Sequence, residues 1–214
     1  MNIANPGAGL ASFGSGAEAL GLADANAAHV VSLGDGGSIT LSFDRPISNG
    51  PGADFAVFEN GFADNFLELA FAEVSSNGVD FVRFPAVSLT QTSTQVGSFG
   101  SLDPTNLDNL AGKYRAGFGT PFDLADIAGL SPAVDPNNVQ FVRIVDVVGS
   151  INPALGTLDS QGHLVNDPYP TAFSSGGFDL DGVAVMHAIP EPASLLLLLV
   201  AVGAFPAARR AGRR

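Results

Sequence analysis

The chain has no cysteine and no tryptophan, and few positive charges until its last residues. Without cysteine there is neither a disulfide framework nor a thiolate metal site, and no thiol nucleophile. The three histidines, His29, His163 and His187, stand far apart, without the spacing of metal ligands. No Gly-x-Ser-x-Gly elbow and no phosphate-binding loop occurs. With no tryptophan and only Tyr114 and Tyr169, a flat aromatic sugar platform is not expected. Of nine Lys and Arg, four lie in the final six residues. The segment up to Pro190 keeps Arg45, Arg83, Lys113, Arg115 and Arg143 against 20 acids, a formal charge of 5 − 20 = −15. A surface that acidic repels phosphate backbones, so nucleic acid is excluded as a partner.

What is present falls into two unequal parts, residues 1–188 and residues 189–214. The second part runs Pro190-Glu191-Pro192, a Leu-rich stretch from Leu195 to Leu199, small apolar residues to Ala208, then Arg209, Arg210, Arg213 and Arg214. From Ala193 to Ala208 an α-helix would be about 24 Å long at 1.5 Å per residue. That length alone suits a buried helix as well as a bilayer span of about 30 Å. The terminal arginines favour the bilayer, since they can snorkel at its cytoplasmic face while a core helix gains nothing from them. This order of motif, apolar run and basic stop closely resembles the PEP-CTERM sorting signal of Gram-negative bacteria that make exopolysaccharide. The resemblance covers Ile189 to Arg214. It implies recognition by exosortase, a membrane protease-transpeptidase acting near Pro190, Glu191 and Pro192. It further implies transient residence in the inner membrane, then release to the cell surface or extracellular matrix. An exported chain needs an N-terminal signal, yet Met1 to Asp44 holds no Lys or Arg and opens without an apolar run. A signal peptide upstream of Met1 is therefore expected.

The first part reads as many short strands and little helix. Ser38 to Phe43 alternates polar and apolar strictly, as a half-buried strand does. Phe55 to Phe58 is a continuous apolar run between turn signals, and Leu67 to Ser75 reads as another strand. Asn77-Gly78 then predicts a tight hairpin returning through Phe81 to Phe84. Val139 to Val148 is the longest β-branched run, and Val183 to Met186 closes the body. Helix is expected only over Glu18–Leu22 and Pro121–Ala128. Strands divided by turns predict an all-β antiparallel sandwich of jelly-roll type, followed by a C-terminal hydrophobic sorting helix.

Glu73 to Phe81, with Val-Ser-Ser-Asn-Gly-Val-Asp-Phe, resembles a hairpin of discoidin-like and galactose-binding-like domains. Phe141-Val142-Arg143-Ile144-Val145-Asp146 is similar to a strand of the same domains. The likeness spans about Ala19 to Met186 and implies the fold, while that fold hosts sugar, lipid-headgroup and protein binders alike.

The segment Gln91 to Ile127 is long for a connection, and it carries Lys113, Tyr114, Arg115, Phe118 and Phe122. It reads either as a binding loop, with Lys113, Tyr114, Arg115 and Phe118 as ligand contacts, or as an ordered excursion covering a sheet. Carboxylates within or beside apolar strands form the other candidate site: Glu59, Asp146, Asp179 and Asp181. Residues two apart in a strand share a face, which joins Asp179 to Asp181. Oxygen-only donors suit Ca2+, and the resemblance to jelly rolls implies a structural calcium. Alternatively Glu59 and Asp146 pair with Arg83 or Arg143, or cap turns. Together these features predict a non-catalytic structural or adhesive protein of the envelope or exopolysaccharide matrix, with polysaccharide as a partner. An extracellular polysaccharide hydrolase is the alternative, since the abundant acids could supply a catalytic pair.

Overall fold

A computed structural model describes residues 9–190. Eleven strands are present among them: β1 (Val31–Ser32), β2 (Ser38–Ile47), β3 (Phe55–Glu59), β4 (Ala70–Ser75), β5 (Val82–Arg83), β6 (Val87–Ser88), β7 (Leu107–Asp108), β8 (Leu110–Ala111), β9 (Thr120–Phe122), β10 (Val139–Asp146) and β11 (Asp179–Val185). All pairings are antiparallel. One sheet has the order β1-β11-β3-β9. The other has β2-β10-β4, with β5 and β8 both pairing with β4, and β6 with β7 forms a separate ribbon. The chain is thus all-β, a sandwich of two sheets.

The period-two rule sorts side chains between two cores. Phe55 and Val57 of β3, Ala70, Ala72 and Val74 of β4, Val142 and Ile144 of β10, Leu180 of β11 and Phe122 of β9 fill the space between the sheets. Their centre is a ring cluster: Phe55 stacks on Phe122 at 5.2 Å, and Phe84 meets both edge-on at 5.7 and 5.0 Å. The opposite face of β4 and β10 is also covered. Phe71 and Val145 there pack with Leu67, Leu69, Leu102, Leu107, Leu110, Val147 and Val165. The segment 91–127 is therefore ordered. Through Leu102, Leu107 and Leu110 it forms an outer layer over the five-stranded sheet, and through β8 and β9 it extends both sheets.

On that outer face Glu73 lies directly opposite Arg143 on one side and Arg83 on the other. Arg83 reaches Oε1 through Nη2 at 2.8 Å, and Arg143 reaches Oε2 through Nε at 2.6 Å. Arg83 also covers the Phe71 ring at 4.1 Å and Arg143 the Phe81 ring at 3.9 Å. The two arginines are thus spent on Glu73, and neither bonds Glu59 or Asp146.

Several local expectations need correction. Glu18–Leu22 is a turn, not a helix. Pro121–Ala128 divides into edge strand β9 and a 3-10 turn, Leu124–Ile127. A proline lacking its N–H is tolerated on an edge, and Asp123 accepts from the Ala125 N–H to start the turn. The Asn77-Gly78 hairpin exists, but the pairing stops at Val74 and Val82, so the connection is wider than two residues. Asn77 Oδ1 accepts from the N–H groups of Val79 and Asp80 and holds the wider turn instead. The expected sorting helix, with Glu191, Pro192 and the four arginines, lies outside the described residues.

Replacing Phe55 with Ala should lower the unfolding free energy by about 3–5 kcal/mol, because two ring partners lose their shared contact. Urea denaturation of the full chain checks this, and a loss below about 1 kcal/mol would mean the three rings are not the packed centre.

Candidate functional site

The apolar core between the sheets ends, at one end, in carboxylates. Glu59 continues the inward row of Phe55 and Val57. Asp146 continues that of Val142 and Ile144, and Glu68 stands on the side of Ala70 and Ala72. Asp167 arrives from the connection before β11, where its Oδ2 accepts from the Leu69 N–H at 2.9 Å. Asp179, at the start of β11, accepts from Ser32 Oγ and from Asn60 Nδ2 at 3.1 Å. Asp35, also buried at this end, accepts from Thr171 Oγ1. All of these acids are less than a tenth exposed.

Their bonds come from neutral donors. Asp146 accepts from the N–H groups of Phe178 at 2.7 Å and Gly36 at 2.9 Å. Glu59 Oε2 accepts from the Gly61 N–H at 2.6 Å. Close approach explains two glycines. A Cβ on Gly61 would stand 2.7 Å from Glu59 Oε2, and one on Gly177, where φ is 75°, would stand 2.6 Å from Asp146 Oδ1.

Burial raises these groups. Desolvation pushes Asp146 to about 8, with the field of Asp35 adding to it. Glu68 is pushed to about 10 by desolvation and then by the charges of Glu59, Asp167, Asp179 and Asp146. Glu59 and Asp167 lie well above the carboxylate range for the same first reason. Asp179 is raised by burial too.

Of the acids expected to bind metal, Glu59, Asp146 and Asp179 share this end. Asp181 is buried as well but spends both oxygens on the N–H groups of Asp24 and Ala25, at 3.3 and 3.0 Å. A register shift between Leu180 and Gly182 interrupts the simple alternation that linked it to Asp179. Glu68 and Asp167 were missed from sequence. Among the acids, Glu59 Oε1 and Asp167 Oδ1 are fully buried and have no hydrogen-bond partner, as is also true of the hydroxyls of Ser88, Thr90 and Tyr169 elsewhere among the described residues. An orphaned carboxylate oxygen suits a hard cation, so the acids present fit calcium in chemistry. Among the described residues, no three His, Asp or Glu side chains are grouped so that they could hold a metal ion.

A second site lies in the outer segment. Lys113, Tyr114, Arg115 and Phe118 line one cavity of about 290 Å³, together with Asp64 and Pro104. Lys113 Nζ donates to the Leu107 carbonyl at 2.8 Å, and Arg115 pairs with Asp64 at 3.1 Å while lying 5.2 Å from the centre of the Phe118 ring. The rings of Tyr114 and Phe118 are left partly open to solvent. Near the acidic end, Phe62, Phe66, Phe99 and Phe173 form a row of stacked rings with centroids 4.3, 6.2 and 5.7 Å apart. Phe62 and Phe99 are about three-quarters exposed, at 74% and 73%. No protein-family profile matches the chain, and no curated protein matches it.

The raised acids set the pH response. Unfolded carboxyls titrate near about 4. Between there and the raised folded values, the folded state keeps protons that the unfolded state has released. Stability therefore falls as pH rises through this window. In the presence of a chelator, the melting temperature of the full chain should drop from about pH 5 to about pH 8. His29, raised by its hydrogen bond to Asp24, titrates in the same direction at the surface, so the scan is repeated in His29→Gln. A melting temperature that rises over this range would show the acids ionised and otherwise compensated.

Proposed function

We propose that the chain is an exported, surface-sorted β-sandwich protein of the bacterial envelope or exopolysaccharide matrix, with a structural or adhesive and non-catalytic role. The observation that carries this reading is the order of Pro190-Glu191-Pro192, apolar run and terminal arginines, which resembles an exosortase substrate tail. The sandwich body supports it, read as jelly-roll-like and akin to discoidin and galactose-binding domains. Glycan contact belongs to the cavity of Lys113, Tyr114, Arg115 and Phe118, where two ring faces can take the C–H side of a sugar and the flanking polar groups its hydroxyls. The burial of the raised acids supports a non-catalytic role for them, because a glycosidase acid must touch the glycosidic oxygen. Glu59, Asp146 and Asp167 are 1%, 2% and 3% exposed, beyond the reach of a polymer.

Sorting is tested by mass. Expressed behind a signal peptide in an exosortase-containing host, the surface or secreted form should end near Glu191. A mature form that keeps Arg214 sinks the sorting assignment.

Binding is tested by affinity electrophoresis of the full chain through gels containing different polysaccharides. Retardation should occur with at least one polymer, without release of oligosaccharide. The double change Tyr114→Ala with Phe118→Ala should weaken it about tenfold or more, the loss of two stacking contacts of about 1 kcal/mol each. Release of oligosaccharide would favour the hydrolase instead.

A further inference from the structure

We propose that the cavity of Lys113, Tyr114, Arg115 and Phe118 selects a carboxylate-bearing sugar, a uronic acid residue within an otherwise largely neutral polysaccharide. The proposal rests on reading this cavity as the glycan site, and it is independent of the tail. The placement of the cations leads to it. The body has five basic residues. Arg83 and Arg143 are both bonded to Glu73, and Arg45 borders another cavity beside Asp44. The remaining two, Lys113 and Arg115, line this one cavity against a single acid, Asp64. A body of formal charge −15 thus carries a local excess of positive charge here, while a further cavity is lined by Glu18, Asp24 and Asp181.

Both cations keep donors to spare. Arg115 meets Asp64 through Nε at 3.1 Å, and the Asp64 side chain is 87% exposed, so the pair is a weak surface contact. The two Nη groups, at the far edge of the planar fork, are left for a ligand. Lys113 Nζ spends one of its three N–H groups on the Leu107 carbonyl. Each cation also stands near a ring. The Arg115 guanidinium lies 5.2 Å from the centre of the Phe118 ring, and Lys113 Nζ lies 5.9 Å from that of Tyr114. These contacts hold the charges in place before a ligand arrives, which lowers the cost of ordering them.

The chemistry of the ligand follows. A carboxylate accepts two parallel N–H bonds from a guanidinium, a geometry that a single hydroxyl cannot match. Tyr114 and Phe118, 40% and 57% exposed, add ring surface for the C–H groups of a sugar, which a bare carboxylate would not use. The body charge limits how many carboxylates the polymer can carry. A densely anionic chain is repelled by the whole surface, whereas one carboxylate in the cavity meets the two cations directly. More distant acids are screened beyond about 8 Å at physiological ionic strength.

Affinity electrophoresis of the full chain tests this with a matched pair of polymers: a polysaccharide with one glucuronic acid in each repeat, and the same polymer with its carboxyls reduced to hydroxyls. The acidic form should bind about tenfold or more tightly, the worth of a charge-assisted bidentate contact. Added sodium chloride should narrow that difference, and free glucuronate should compete better than glucose or acetate. Arg115→Gln should abolish the difference between the two polymers. Arg45→Gln removes the same charge from another cavity and should keep it. Circular dichroism verifies the fold of each variant, and Lys113→Gln replaces Arg115→Gln if the latter misfolds. Equal binding of both polymers overturns the acid preference and leaves the glycan site standing, as does binding of a neutral polysaccharide with no binding of this pair. No binding of any polysaccharide overturns both. The proposal also falls if acetate competes as well as glucuronate, or if Arg45→Gln loses the preference as Arg115→Gln does.

Discussion

A sandwich core made of inward-facing rows has to end somewhere, and here three of its rows end in acid. Glu59 follows Phe55 and Val57, Asp146 follows Val142 and Ile144, and Glu68 precedes Ala70 and Ala72. Ionising a carboxyl in such a place costs several kcal/mol unless other groups replace the lost water. Much of the surrounding backbone answers that demand. The N–H groups of Gly36, Gly61, Leu69 and Phe178 all donate to acids of this layer. Glycine permits the closest of these approaches: Gly61 against Glu59, Gly177 against Asp146, and Gly149, whose added Cβ would stand 2.4 Å from the Asp167 Cβ. The abundance of glycine in this chain is in part a consequence of packing backbone against carboxylates.

Glu73 shows the other solution to the same problem. It is as buried as Glu68, yet it sits on the outer face of the five-stranded sheet between two arginines, each supported on an aromatic ring. Directly opposed residues on antiparallel strands make such a pairing geometrically simple. The body has only five basic residues, and two of them are used here. Arg45 lies at the other end of β2, beside Met186 and Ala188. The placement of so few cations divides the molecule into an end where acids are neutralised by side chains or solvent and an end where they face one another.

The regular part of this architecture was legible because burial on one or both faces leaves a pattern. Alternation marked β2, a continuous apolar run marked β3, and the longest β-branched run marked β10. The acidic layer was only half legible. Glu59 and Asp146 stood out as charges at the ends of apolar strands, and Glu68 carried the same signal inside Leu67-Glu68-Leu69, read there as ordinary strand. Asp167 lies in Asp-Pro-Tyr-Pro, where an aspartate usually means a turn, and its role comes from long-range contact with Leu69. Asp181 is set apart from Asp179 by the irregularity at Leu180–Gly182, for which Gly182 inside the strand is the local sequence sign. The outer layer was ambiguous because its residues obey neither period. Leu102, Leu107 and Leu110 gain burial only by meeting Phe71 and Val165 from distant parts of the chain.

The exposed phenylalanines follow from the same geometry. A single surface ring needs no explanation, but Phe62, Phe99 and Phe173, stacked in one row with the buried Phe66 and drawn from three separate connections, form a continuous apolar surface. Stacking gives each ring partial shelter and makes the row depend on the relative position of the connections. Those positions are set below the surface, where Glu59, Glu68, Asp167 and Asp179 stand at the roots of two of them. The buried acidic layer and the exposed aromatic row thus share the same anchoring connections, so the packing of one bears on the placement of the other.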